Sequence, residues 1–158
     1  MLGRHGATCW RGSAGLSSAR AAATLAPMFE QETAGLMVRV EPRYLPAESA
    51  PDEGRFFWAY TIEILNLSPD TVQLISRTWQ ITDENGLTQN VHGPGVVGEQ
   101  PVLKPGESFT YTSGAPLAAP SGVMVGAYSM TRVDTGEMFD IAVPAFPLDS
   151  PYVTRRAN

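Results

Sequence analysis

Three glycines in the middle of the chain form the pattern with the clearest chemical precedent. Gly93, Gly95 and Gly98 spell GxGxxG, which binds the pyrophosphate of a dinucleotide when a strand precedes it and a helix follows at once. In this chain prolines stand between the first two glycines and soon after the third, so no helix is expected to start there. We therefore predict that this Gly-rich segment, residues 93–101, is a shaped loop between two sheets whose glycines adopt positive φ angles. A backbone nest for a small anion is an open alternative.

One histidine and one carboxylate flank these glycines. His92 precedes Gly93, and Glu99 follows Gly98. Such a pair could contribute to a weak metal site, or the histidine could act as a base, but the spacing assigns no second ligand and no nucleophile. We predict a hydrogen-bonded histidine at a loop or strand end, with no metal site and no resident cofactor.

The letters Asp134-Thr135-Gly136 match the motif of aspartic proteases. That reaction requires two carboxylates that share one proton, so a single copy would need a symmetric dimer. Between two strands the same letters are typical of a hairpin turn with the glycine in the left-handed conformation. We predict a turn, and no catalytic residue anywhere in the chain.

Arg77 and Trp79 alternate along a predicted strand with Ile75 and Ile81, so a charge and a large aromatic ring share one sheet face. Either Trp79 packs in the core and Arg77 reaches the rim, or the two form a recognition surface, since Arg and Trp are frequent binding hot spots. The candidate residues for binding a ligand or partner are Arg77, Trp79, His92, Gly93, Gly95, Gly98 and Glu99.

Alternating hydrophobic positions predict the elements that carry these residues. No segment sustains a helical period, and turn signals such as DENG at residues 83–86 recur at nearly regular spacing. In the strand that contains Arg77, strict alternation places Val72 and Leu74 on the face opposite Trp79. The pattern is typical of an all-β, immunoglobulin or fibronectin type III-like β-sandwich of about seven or eight antiparallel strands. The predicted strands cover residues 35–44, 56–66, 71–82, 87–92, 108–113, 122–133 and 137–145.

Composition narrows the classes of partner. Residues 1–27 carry three arginines and no acid, which leaves 8 of the 11 basic residues against 16 acidic ones, a charge of about −8, from Met28 onward. Such a domain repels phosphate backbones, so general binding to nucleic acid is not expected. The only cysteine, Cys9, permits no intrachain disulfide, which fits a cytoplasmic location. No apolar run reaches the roughly 18 residues needed to span a membrane.

The chain is expected to contain one folded domain with unstructured ends. Residues 29–151 form the predicted sandwich, and residues 152–158 a disordered tail. Residues 1–28 lack useful periodicity and are predicted to be a disordered extension. A mis-called start, with Met28 as the first residue, and a targeting segment are both open explanations of it.

Five segments of the sequence closely resemble the ApaG family: EPRYLP at 41–46, FWAYTIEILN at 57–66, VQLISRTWQITD at 72–83, VHGPGVVGEQPVLKPGESFTYTSG at 91–114 and PAFPLDSP at 144–151. The resemblance runs from about Phe29 to Pro151. It implies a fibronectin type III-like sandwich that acts without catalysis in protein–protein interaction, because the same module occurs in eukaryotic F-box and DNA-polymerase-interacting proteins. The family's frequent SRHW segment reads Ser76-Arg77-Thr78-Trp79 here, without the histidine.

The resemblance also implies an alternative. Bacterial ApaG proteins are associated with cobalt resistance and magnesium efflux, which would make this chain an accessory factor in cobalt and magnesium homeostasis that binds a small anion or a divalent cation. Hydrolysis of phosphate esters is not expected. The partner, a protein or a small ligand, is not identified by the sequence, and a homodimer is an open alternative.

Overall fold

The structure is a computed structural model that describes residues 28–152. In this part of the chain two antiparallel sheets pack face to face, and two short 3₁₀ helices, Pro46–Glu48 and Pro51–Glu53, lie between the second and third strands. The all-β class is confirmed, and no helix within residues 28–152 has the length and apolar character needed to cross a membrane. The predictions for residues 1–27 and 153–158 lie outside the described residues. The strands are β1 (Phe29–Thr33), β2 (Leu36–Tyr44), β3 (Phe56–Asn66), β4 (Val72–Asp83), β5 (Thr88–Pro94), β6 (Val102–Leu103), β7 (Ser108–Leu117), β8 (Ser121–Arg132) and β9 (Met138–Asp149).

The order of strands in the two sheets makes the two lateral edges of the sandwich different. The first sheet has the order β1-β2-β3-β7, and the second has the order β5-β4-β8-β9, with β6 paired to β4. On one side β1 and β2 contact β9 and close the sandwich, where the Ala142 amide donates to Thr33 Oγ1. On the other side the edge strands are β7 and β5, and the Gly-rich segment begins with the last two residues of β5.

The predicted strands are all present, and two further short strands join them. β1 has no alternating hydrophobic pattern that would predict it, because the three central side chains of its five residues are exposed. β6 is too short to be predicted, since it has only two residues. The alternation predicted for β3 is confirmed, with Trp58, Tyr60, Ile62 and Ile64 all buried on the core face. These large aromatic and β-branched side chains supply much of the contact between the sheets.

A β-bulge in β4 overturns one expectation. The pairing of β4 with β8 shifts register between Leu74 and Ser76, so Ile75 is an extra residue without a partner in β8. The bulge reverses the alternation, and Val72 and Leu74 are buried in the same core as Trp79. The prediction that they face away from Trp79 is therefore wrong.

A pair of buried tyrosines connects the two sheets. The hydroxyl oxygens of Tyr111 in β7 and Tyr128 in β8 are 2.6 Å apart and form a hydrogen bond. Burial raises the pKa of both phenols well above the ordinary value, so both stay protonated near neutral pH. One hydroxyl donates and the other accepts, which satisfies both polar groups inside an apolar core.

The losses from removing these two hydroxyls are not expected to add. Tyr128→Phe should lower the free energy of unfolding by about 1–3 kcal/mol, because Tyr111 Oη keeps its burial and loses its partner. The double variant Tyr111→Phe/Tyr128→Phe should cost clearly less than the sum of the two single variants. Urea denaturation followed by circular dichroism measures all four proteins. Additive losses would show that the two hydroxyls are not coupled.

Candidate functional site

The Gly-rich segment leaves and rejoins the same edge of β4. β5 pairs with β4 as far as Pro94 opposite Ser76, and β6 resumes the pairing with Val102 opposite Gln73. The prediction that this loop passes between the two sheets is therefore wrong. The chain crosses to the first sheet only after β6, in the turn that leads into β7.

The bulge in β4 holds this excursion in place. The Ile75 carbonyl oxygen accepts hydrogen bonds from the Gly95 amide and from Gln100 Nε2, both at 2.8 Å. The neighbouring Leu74 amide donates to the Pro101 carbonyl at 3.0 Å. The bulge and the loop thus satisfy each other's backbone groups, which makes them one structural unit.

The tip of the loop is a tight turn and not the start of a helix. Val96 and Glu99 exchange two backbone hydrogen bonds of 2.8 Å across Val97 and Gly98, whose φ angles are +42° and +82°. Two positive φ values in succession are typical of a type I′ turn. The prediction that no helix starts after the glycines is confirmed, so this segment lacks the helix dipole on which dinucleotide binding depends.

Val97 is an unusual residue for the tip of this turn. A β-branched side chain at positive φ costs about 1–2 kcal/mol of backbone strain. Its side chain packs against the hydrophobic core, and the neighbouring Val96 is fully buried. Tertiary packing therefore holds the tip of the loop in one conformation against the core.

Gly93 differs from the other two glycines. It lies within β5 opposite Arg77, and its φ is not positive, so the prediction of positive φ is confirmed only for Gly95 and Gly98. A Cβ on Gly93 would lie 3.1 Å from Arg77 Nη1, so this glycine provides room for the guanidinium.

Arg77 lies half-buried against the loop. Its Nη1 donates to the carbonyl oxygens of Pro94 at 3.1 Å and Gly95 at 2.9 Å. None of the carboxylates in residues 28–152 forms an ion pair with it. The guanidinium therefore keeps its charge uncompensated by any carboxylate of the described chain.

A cavity of about 370 Å³ lies beside this guanidinium, between the two sheets. β3 and β7 contribute Tyr60, Tyr111 and Ser113 to its wall, and β4 contributes Arg77 and Trp79. The Gly-rich segment forms the remaining wall. The cavity thus combines one positive charge, several hydroxyls and an apolar lining, which suits a group with an anionic end.

Burial affects the titratable phenols of the cavity. Burial raises the pKa of Tyr60, although the Ser113 hydroxyl and the charge of Arg77 each lower it in part. Tyr60 and Tyr111 are therefore neutral hydrogen-bonding groups near pH 7.

The Trp79 side chain is only 3 % exposed and packs edge-on against Tyr60 and Phe146, with ring centroids 5.5 and 6.1 Å away. Trp79 is thus a core residue with Arg77 at the rim, the first of the two alternatives drawn from the sequence.

His92 and Glu99 do not join the cavity. His92 is exposed, and its Nδ1 lies 3.0 Å from the hydroxyl of Thr78, the residue of β4 with which it pairs. The Glu99 backbone closes the loop turn, whereas its side chain is exposed. Within residues 28–152 no group of three or more His, Cys, Asp or Glu side chains is placed to hold a metal ion. The side chains of His92 and Glu99 therefore lie outside the lining of the cavity.

The Asp134-Thr135-Gly136 sequence forms the predicted turn between β8 and β9. Gly136 has φ +77°, and its amide donates to the Arg132 carbonyl at 2.8 Å.

The sequence did not indicate that Tyr60, Tyr111 and Ser113 belong to the site. Their inward positions in β3 and β7 were available from alternation, but their approach to Arg77 depends on how the two sheets stack.

Comparison with known proteins identifies the family. Residues 46–132 match the family model described as the ApaG domain. Protein ApaG of Methylorubrum extorquens is 55% identical over 128 residues, which cover 81% of this chain and 98% of that protein. This chain belongs to the ApaG family. Protein ApaG of Methylocella silvestris is 53% identical over 131 residues, 83% of this chain and all of the relative. Among solved ApaG-like structures, the putative ApaA protein from Bordetella pertussis has a TM-score of 0.71 and 44% identity, over 75% of this chain and 95% of its own.

Proposed function

We propose that this ApaG domain is a non-catalytic binding module that mediates protein–protein interaction, with the cavity beside Arg77 as its recognition site. The observation that carries the proposal is the half-buried guanidinium on the cavity wall, which has no carboxylate partner among residues 28–152. A carboxylate supplied by a partner would complete a charge-assisted hydrogen bond in a partly desolvated site.

The chemistry of the cavity supports binding over catalysis. A general base must be able to accept a proton near neutral pH. The phenols of Tyr60 and Tyr111 have raised pKa values and are already protonated, and Arg77 is a permanent cation. The guanidinium can orient an acceptor group without taking a proton from it.

The accessory role in cobalt and magnesium homeostasis is the weaker of the two proposals. A divalent cation requires anionic or neutral oxygen and nitrogen ligands, whereas Arg77 brings a positive charge to the cavity. The same charge favours the other part of that alternative, a small anion. Anion binding and recognition of a partner's carboxylate would use the same guanidinium.

Affinity capture with matched arginine variants tests the binding role. The bait proteins are the wild-type chain, Arg77→Gln, and Arg55→Gln as a control for loss of an exposed arginine elsewhere on the domain. We expect Arg77→Gln to reduce recovery of the wild-type partners from a native lysate by roughly tenfold or more, whereas Arg55→Gln retains them. Circular dichroism confirms that each bait is folded. Equal recovery by all three baits would refute the cavity as the recognition site.

A further inference from the structure

The outer edge of β7, the strand beside the cavity, is unpaired. In the described residues β7 ends the first sheet, and its backbone pairs with that of β3 alone. Its ten residues, SFTYTSGAPL, contain no charged side chain and one proline. Proteins usually block an exposed edge with charges, prolines or bulges, because its free amides and carbonyls can bind another strand. β7 is an edge with little such protection.

The pairing of β3 shows which backbone groups of β7 point outward. The Phe57 carbonyl accepts from the Leu45 amide, so odd-numbered residues of β3 direct their backbone groups toward β2. The Asn66 amide donates to the Glu107 carbonyl, so even-numbered residues face β7. Residues of β7 opposite the odd-numbered positions must therefore direct their own groups away from β3. These residues include Thr110, Thr112 and Gly114.

Two of the remaining residues of β7 line the cavity. Tyr111 and Ser113 alternate with the outward-directed residues and line the cavity wall across from Arg77. In an added strand, the side chain opposite either of them would lie on the same face of the sheet. A side chain from that strand would therefore enter the side of the first sheet on which Arg77 and the cavity lie.

We propose that β7 binds an extended peptide segment as a further strand of the first sheet, and that an Asp or Glu side chain of this segment pairs with Arg77. This inference rests on the proposed binding function and specifies its partner. Charge favours an acid beside Arg77: the chain from Met28 onward carries about −8 and as a whole repels an acidic segment, while this guanidinium attracts one of its carboxylates. Backbone pairing supplies affinity, and the cavity selects one side chain.

Selection from a phage-displayed library of random octapeptides on the full-length chain tests the inference. We expect the enriched sequences to share an Asp or Glu at one position, flanked by alternating β-branched or aromatic residues. The synthetic consensus peptide should bind roughly tenfold or more weakly when its acid is changed to the amide. No enrichment, or enrichment without a fixed acidic position, would overturn the proposal.

Variants of the edge give a second and independent readout. Thr110→Pro removes an outward amide, whereas Thr110→Val keeps it, and both lose the same hydroxyl; Pro116 already occupies an equivalent outward position. We expect Thr110→Pro to weaken binding of the consensus peptide by roughly tenfold or more and Thr110→Val to leave it unchanged. Peptides N-methylated at alternate amides repeat the test on the wild-type chain. Equal binding by the two Thr110 variants, or indifference to N-methylation at every position, would overturn strand addition.

The two proposals fail in different ways. If lysate partners still depend on Arg77 while the peptide tests fail, the binding role stands and strand addition is wrong. If Arg77→Gln affects neither lysate partners nor selected peptides, both proposals are wrong.

Discussion

Replacing Trp79 with alanine is expected to lower the free energy of unfolding by about 3–5 kcal/mol. Its indole ring packs edge-on against Tyr60, Tyr128 and Phe146, with ring centroids between 5.5 and 6.3 Å away. It also lies directly over Gly126, where an added Cβ would be 2.4 Å from Trp79 Cε3. The cavity left by alanine could not be filled without moving both sheets. A loss of this size is a large part of the stability of a typical domain.

Gln80→Ala is the matched control for this experiment. Gln80 follows Trp79 in β4 but is exposed on the outer face. Its replacement should change the free energy of unfolding by no more than about 0.5 kcal/mol. Urea denaturation followed by far-UV circular dichroism is suitable, because the signal does not depend on the deleted indole. A loss below about 1.5 kcal/mol for Trp79→Ala would contradict its central place in the core.

Gly95→Ala is expected to distort the Gly-rich segment and abolish binding at the cavity. Gly95 has φ +61°, and a Cβ there would lie 2.3 Å from the Glu99 carbonyl oxygen. Backbone strain of about 1–2 kcal/mol is thus joined by a steric cost of about 1–3 kcal/mol. The Gly95 carbonyl also accepts from Arg77 Nη1, so movement of the loop displaces the guanidinium. We expect thermal denaturation to show a destabilised sandwich that still folds, and partner capture to be lost.

Gly98→Ala separates the two contributions. Gly98 has φ +82°, but an added Cβ would meet no atom within 4 Å. Only the backbone cost of about 1–2 kcal/mol should appear, and partner capture should persist. If Gly95→Ala and Gly98→Ala behave alike in both measurements, the close approach of Gly95 to Glu99 does not shape the site.

The fold class could be predicted because the core requires a hydrophobic period of two. Trp58, Tyr60 and Ile62 alternate in the sequence and lie together in the core. Turn residues predicted the positions of the hairpins in the same way, and Gly86 and Gly136 have positive φ at the predicted hairpin turns. Such signals are short-range, so they survive without knowledge of the partner strands.

The site could be predicted only in part. The prolines of the Gly-rich segment excluded a helix, and the position of Arg77 beside the predicted core indicated a rim. The bulge at Ile75 left no signal in the sequence, because a bulge is defined by the register against a partner strand. Without it, alternation placed Leu74 on the wrong face, and nothing indicated that the Ile75 carbonyl would bind Gly95.

The sequence by itself determined that this chain forms a β-sandwich and that no helix follows its three glycines, since periodicity and the effect of proline act over a few residues. Tertiary structure alone decided that the Gly-rich segment rejoins β4, that His92 lies outside the site, and that Arg77 meets Tyr60 and Ser113. These contacts join residues that are distant in sequence. The stacking of the two sheets brings these residues together, and the bulge in β4 sets which of its side chains face the core.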